Sequence, residues 1–149
     1  MIIADVNALV YAFRSDTTFH ALARDALTTY RDRGELIVLS DVAAWFLRIV
    51  TDRRLSAQPD DPADGFNFIE AVTLSGRLLR EPRASRWNVF RDVTNEVDAR
   101  GTLIPDALLA ATCHDFGAAI LTADRDFLRF SGLQVQLMTS IGVIAHTVT

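Results

Sequence analysis

Residues 2–13 read "IIADVNALVYAF". The apolar run over 1–6 suits a short strand covered on both faces, and helical spacing takes over across 7–14. Asp5 stands at the junction, where an apolar strand gains nothing from a charge that has no partner. The same alternation then continues down the chain. A helical stripe of Phe19, Leu22, Ala23, Ala26, Leu27 and Tyr30 over 18–33 stops at Gly34, and "ELIVLS" over 35–40 is a second strand. Ser40 is a natural N-cap for a helix running to about Thr51. Residues 52–63, "DRRLSAQPDDPA", carry turn chemistry and two prolines and read as a loop. Helices are expected at 63–75 and 83–99, with a short segment at 77–81 between them. Pro105 suits the first position of a helix to about Phe116, with Gly117 as its stop. "AAILTAD" (118–124) is a third strand, "RDFLRF" (125–130) a helical turn and "LQVQLM" (133–138) a fourth strand. Strands alternating with helices predict an α/β fold with a mainly parallel sheet. One domain is expected over 1–138, followed by a tail at 139–149 that either packs against a partner or is loosely ordered.

Composition narrows the function. Half of the residues are apolar and 23% are charged, an ordinary balance for a soluble protein. The longest apolar runs, such as 42–47, fall far short of the roughly 20 residues of a membrane span, and no basic stretch precedes an apolar core at the start. A cytoplasmic protein is expected. Cys113 is the lone cysteine, which leaves no internal disulfide and no cysteine metal site; a buried thiol is expected. All fifteen basic residues are Arg. Without Lys there is no Schiff base, no phosphate-binding Lys and no lysine-dependent phosphorelay. The net charge of −4 argues against indiscriminate coating of nucleic acid. Locally, however, Arg77, Arg80, Arg83, Arg86 and Arg91 face a single acid, Glu81, within 77–91. That run is either a solvated face or a nucleic-acid surface.

In parallel sheets the ligand crevice lies outside the carboxyl ends of the strands. Asp5 ends the first strand, Asp41 lies just beyond the second, and Asp124 and Asp126 lie just beyond the third. Asp106 opens the helix leading into that third strand. Each has a structural reading: Asp41 and Asp106 complement helix N-termini, and Asp124 caps the turn "DRDF". Together they are carboxylates converging on one edge, which repel one another unless a cation neutralises them. Oxygen ligands with no His or Cys among them favour Mg²⁺ or Mn²⁺. Such ions activate water and stabilise the leaving oxygen of a phosphodiester.

"IIADVNALVYAF", "FLRIVT" and "LIPDALLAATCHDFGAAILTADRDF" closely resemble PIN-domain ribonucleases, in particular the VapC-type toxins of bacterial toxin-antitoxin pairs, in the same order over residues 1 to about 138. The resemblance implies a three-layer α/β/α sandwich with a sheet of four to five strands, and a Mg²⁺ or Mn²⁺ site. It also implies endonucleolytic cleavage of tRNA or rRNA, a homodimer, and a VapB-type antitoxin that covers the crevice. Position by position it implies Asp5, Asp106 and Asp124 as metal ligands, Asp126 as the second acid of the aspartate pair, and Asn7 and Thr122 as small polar groups holding water or a carboxylate. Many members place a Glu immediately before "FLR", where this chain has Trp45. Asp41, one turn earlier on the same face, is the expected replacement, acting through a water. Arg48 shares that face and either touches substrate phosphate or forms an ordinary salt bridge. Trp87 and Phe90 suit stacking on unpaired bases, with core packing the expected role. His20, His114 and His146 are expected at structural positions.

Two other classes compete. A PIN-like module that binds RNA or protein without strong catalysis is favoured by Trp45, and disfavoured by the repelling acids at 5, 106, 124 and 126. An aspartyl-phosphate enzyme or receiver domain also places acids at strand ends. Asn7 occupies the position where such a phosphatase wants its second acid, and the missing Lys counts against both.

Overall fold

A computed structural model describes all residues, 1–149. The opening run forms strand β1 (Ile2–Ala4), buried along its whole length. It ends where Asp5 accepts the Val6 N–H and starts helix α1 (Val6–Phe13). A carboxylate that takes up an orphaned helix N–H is the local reason for the switch from strand to helix. Helix α2 (His20–Asp32) buries Ala23, Ala26 and Leu27, and the chain returns to strand β2 (Leu36–Leu39), again buried throughout. Helices α3 (Ser40–Thr51) and α4 (Pro62–Val72) follow, then the two-residue strand β3 (Leu79–Arg80). Helices α5 (Arg86–Glu96) and α6 (Leu103–Phe116) lead into strand β4 (Ala119–Thr122). Gly117 ends α6 in the left-handed conformation, φ 61°, where a side chain would be strained. A 3₁₀ turn (Arg125–Arg129) and the hairpin of β5 (Gln134–Thr139) and β6 (Gly142–Thr147) complete the chain.

The six strands lie in the order β3-β2-β1-β4-β5-β6. Every pair is parallel except β5 with β6. The chain steps outward from β1 to β2 to β3, then crosses back to place β4 on the other side of β1. Right-handed crossovers therefore put α1–α4 on one face and α5 and α6 on the other. The packing agrees, with α1 on α2 and α3, α3 on α4, and α5 on α6. This is a three-layer α/β/α sandwich. The reversal between β1 and β4 is a topological switch point, and in open α/β sheets the ligand crevice lies outside the carboxyl ends of the strands at such a point.

On the four-helix face, Phe46 is fully buried. It meets Phe13 edge-on at 5.4 Å and Phe68 at 5.3 Å, which ties α1, α3 and α4 together. Gly65 lets α4 approach α3, since a Cβ there would lie 2.7 Å from Leu47 Cδ2. Ala in place of Gly favours a helix by about 1 kcal/mol, whereas forcing a methyl into packed space costs about 1–3 kcal/mol. Gly65→Ala is therefore expected to lower stability by about 1 kcal/mol in urea unfolding. A gain would mean that Leu47 yields freely.

Several local expectations are corrected. The sheet has six strands rather than four to five. The segment at 77–81 contributes β3, too short to show a period. Residues 142–147, within the expected tail, form β6, whose register runs from Thr139↔Gly142 to Gln134↔Thr147. Ser40 caps nothing: Leu39 holds the N-cap position and the Ser40 hydroxyl donates to Glu81 at 2.7 Å. Pro105 is the third residue of α6 rather than the first. Phe90 does pack against the core, but Trp87 stays 67% exposed.

Candidate metal centre

Four acids meet at the crevice by different routes. Asp5 sits between β1 and α1, Asp106 in the first turn of α6, and Asp124 and Asp126 in the turn that leaves β4. Asp5 is only 5% exposed, and both of its oxygens accept hydrogen bonds. Oδ1 accepts the Val6 N–H at 2.6 Å, and Oδ2 accepts the Asn7 amide and the Thr122 hydroxyl, each at 2.6 Å. Thr122 Oγ1 also accepts the Asp124 N–H at 2.9 Å, and Asn7 Oδ1 accepts the Ala123 N–H at 3.0 Å. Asn7 and Thr122 thus lock the end of β4 to the start of α1. Both donate to the Asp5 carboxylate.

One carboxylate oxygen from each of Asp106, Asp124 and Asp126 falls within 4.8 Å of the others. Asp126 thus joins Asp106 and Asp124 in the tight group, while Asp5 lies behind them as a buried, hydrogen-bonded anion. Burial, then the charges of Asp124, Asp5 and Asp126, push the Asp106 carboxyl up to about 7. Asp5 is pushed to about 6, chiefly by burial, with the Asp124 charge adding and the bonds from Thr122, Val6 and Asn7 opposing. These shifts arise although Asp106 stands near the positive end of its helix, which favours the anion. A divalent cation relieves this repulsion, and three clustered carboxylates with no nitrogen or sulfur donor suit a hard ion such as Mg²⁺ or Mn²⁺. The donor set fits.

Thr122→Val removes a hydroxyl that serves both Asp5 and the Asp124 backbone. Leaving buried polar groups unpaired costs about 1–3 kcal/mol, so a fall of about 2 kcal/mol in unfolding free energy at pH 8 is expected. An unchanged unfolding midpoint would show that solvent replaces the hydroxyl.

Asp41 is held elsewhere. Its Oδ1 accepts the Val42 N–H at 2.9 Å and its Oδ2 accepts from Arg86 at 3.2 Å, while Arg86 also donates to the Thr112 hydroxyl at 3.3 Å. Nothing in a local reading of α3 foretells a partner 45 residues away. Arg48 is exposed and is not brought to the acids. Its charge bears on Asp52, whose carboxyl is lowered first by hydrogen bonds from Arg54. Trp45 packs partly against the core. His20 bonds the Tyr11 carbonyl at 3.0 Å, and burial pushes the Cys113 thiol up, so that it stays protonated and inert.

The PIN domain family model matches residues 2–133. The chain belongs to the PIN-domain family. Within that family it is similar to the VapC ribonucleases of mycobacteria. It is 39% identical over 136 residues to Ribonuclease VapC43 of Mycobacterium tuberculosis, covering 90% of this chain and 92% of the relative. To Ribonuclease VapC25 of the same organism it is 37% identical over 138 residues, covering 90% and 96%. The fold of this PIN domain also matches a chain in the crystal structure of VapBC2 from Rickettsia felis bound to a promoter DNA fragment. The TM-score there is 0.69, at 17% identity and 92% and 98% coverage, a likeness of fold. This PIN domain contains no helix long and apolar enough to cross a membrane.

Proposed function

We propose that this PIN domain is a metal-dependent endoribonuclease, the cytoplasmic toxin of a toxin-antitoxin pair, hydrolysing phosphodiester bonds in tRNA or rRNA. The observation that carries the reading is the group of Asp106, Asp124 and Asp126 within 4.8 Å, with Asp106 raised to about 7 by burial and its neighbours. These three would hold Mg²⁺ or Mn²⁺, with Asp5 supplying a fourth negative charge behind them and able to join as a ligand. When bound, the ion supplies a nucleophilic water near neutral pH and stabilises charge on the phosphate oxygens. The chain's own part is positioning: Asn7 and Thr122 keep Asp5 ionised and fix the turn that bears Asp124 and Asp126. Asp41, tethered by Arg86, orients water from the α3 side, and Arg48 meets more distant phosphates. By likeness to the VapBC2 fold the partner is an antitoxin of the VapB type, and the PIN-domain resemblance implies a second copy of this chain.

The test is incubation of antitoxin-free protein with total RNA and purified tRNAs in Mg²⁺ or Mn²⁺. Discrete products that vanish in EDTA support the proposal, and intact RNA from folded protein under every metal condition overturns it. A second reading, a binding module without strong catalysis, is favoured by the capture of Asp41 by Arg86, which leaves the Trp45 side without a free carboxylate. RNA bound tightly but left intact would select it.

A further inference from the structure

We infer that the β3–α5 edge is a track for single-stranded RNA, built from unpaired arginines that run into an exposed indole, and that it feeds the acidic crevice. The inference rests on the ribonuclease reading for its ligand and deepens it by naming how the substrate strand is held.

Arg77, Arg80 and Arg83 are all exposed. None forms an ion pair; instead their guanidinium groups are oriented by backbone carbonyls. Arg77 donates to the Leu74 carbonyl, Arg80 to those of Arg77 and Leu79, and Arg83 to that of Asp115. Arg83 also lies 4.8 Å over the Phe116 ring. Of the nearby acids, Asp92 sits 3.8 Å from Arg91, Glu81 accepts from Ser40, and Asp115 accepts from Ser85 through Oδ1 while its buried Oδ2 has no partner; none of them forms a salt bridge with these three arginines. In a chain of net charge −4, three oriented cations without carboxylate partners on one edge are an unneutralised feature. They face solvent and suit an anionic ligand of extended form.

Trp87 adds the second element. It is 67% exposed, and its ring lies 5.7 Å from that of Phe90, which packs against the core and supports it. An indole usually contributes to stability through burial, so one held in solvent on a supporting ring is a platform for a flat partner. Beside it, Arg86 is committed to Asp41 and Thr112, which anchors this end of α5 to α3 and to the helix that carries Asp106. Cations for the backbone and an aromatic face for a base are the two components of sequence-tolerant binding to single strands.

The track opens toward the site. Arg80 is in register with Leu39, at the carboxyl end of β2, on the same edge as the crevice. Three strand spacings, about 14 Å, separate β3 from β4, and the indole end of the track lies farther off, since Ser85 meets Asp115 in the last turn of α6, about 13 Å along that helix from Asp106. A duplex presents its bases stacked inside and offers none to Trp87, so a single strand is the occupant the surface fits.

Binding of a fluorescein-labelled unstructured RNA, and of the same sequence as a duplex, is measured by anisotropy in EDTA with wild-type protein and with Trp87→Ala, Trp87→Phe and the pair Arg80→Ala with Arg83→Ala. Trp87→Ala is expected to weaken single-strand binding about tenfold, with Trp87→Phe largely restoring it. The arginine pair is expected to reduce the slope of log affinity against log salt by about 1.4, because two phosphates are no longer neutralised. All three positions are exposed, so thermal midpoints should match wild type. RNA affinity unchanged in both the Trp87→Ala and the arginine variants overturns the track, as does equal preference for duplex or undetectable binding. Cleavage assays of the same variants separate the two readings. Metal-dependent cleavage with variant affinities unchanged sinks the track alone. Variant-sensitive binding without cleavage sinks the nuclease alone.

Discussion

Asp106→Asn is expected to abolish metal-dependent cleavage while making the metal-free protein more stable. The carboxylate is one of the three oxygens grouped at the crevice, and losing it weakens the hold on a divalent ion. Metal stabilisation of a phosphoryl transition state is worth several kcal/mol, so cleavage should fall on the order of a thousandfold. Stability moves the other way, because the substitution keeps the shape and removes a charge that Asp124, Asp5 and Asp126 oppose. Asp106 is partly exposed, so solvent screening reduces the benefit to roughly 1–2 kcal/mol at pH 8. Cleavage kinetics and urea unfolding of one preparation check both halves. Equal losses of activity and stability would show that Asp106 serves the fold instead.

The second large effect is a dependence of metal-free stability on pH. The carboxyls of Asp5 and Asp106 lie at about 6 and about 7 in the folded chain, against 3.8 as the ordinary value. Between those limits the native state binds more protons than the unfolded chain, so unfolding free energy falls as pH rises. The loss is complete above about pH 7 and absent below about pH 4. Asp5 contributes about 3 kcal/mol, since its shift is near two units and it is buried, and Asp106 a further 1–2 kcal/mol after screening. Part of that loss falls below pH 5, leaving about 2–3 kcal/mol between pH 5 and pH 8. At about 2–4 °C per kcal/mol for a chain of this size, the metal-free Tm should drop by roughly 5–10 °C over that window. Millimolar Mn²⁺ should restore most of the drop at pH 8 and change less at pH 5, where Asp5 and Asp106 already carry protons. Scanning calorimetry at both values measures this. A metal-free Tm that rises over that window would refute the assignment of these two acids.

Much of this was legible in the sequence, for identifiable reasons. Strands β1, β2 and β4 are buried on both faces and read as apolar runs, and the acids at their carboxyl ends follow from parallel topology alone. The motifs around Asp5, Asp106 and Asp124 carried the family. What stayed hidden depends on contacts distant in the chain or on elements too short to show a period. β3 is two residues long, and β6 is an edge strand with no fully buried residue, so neither of its faces imposes an apolar period. Arg86 reaches Asp41 across 45 positions. Periodicity places Trp87 on a helix but does not say that its neighbours leave it in solvent. The grouping of Asp126, rather than Asp5, with Asp106 and Asp124 reflects side-chain geometry at the turn after β4, where Asp124 caps and Asp126 follows.

The most direct test of the account is Mn²⁺ binding at pH 8, titrated calorimetrically into wild type and Asp106→Asn. Saturable uptake by wild type that is lost in the variant is the predicted result. Uptake that is absent from wild type, or that survives Asp106→Asn unchanged, would contradict the claim that Asp106, Asp124 and Asp126 form the metal centre.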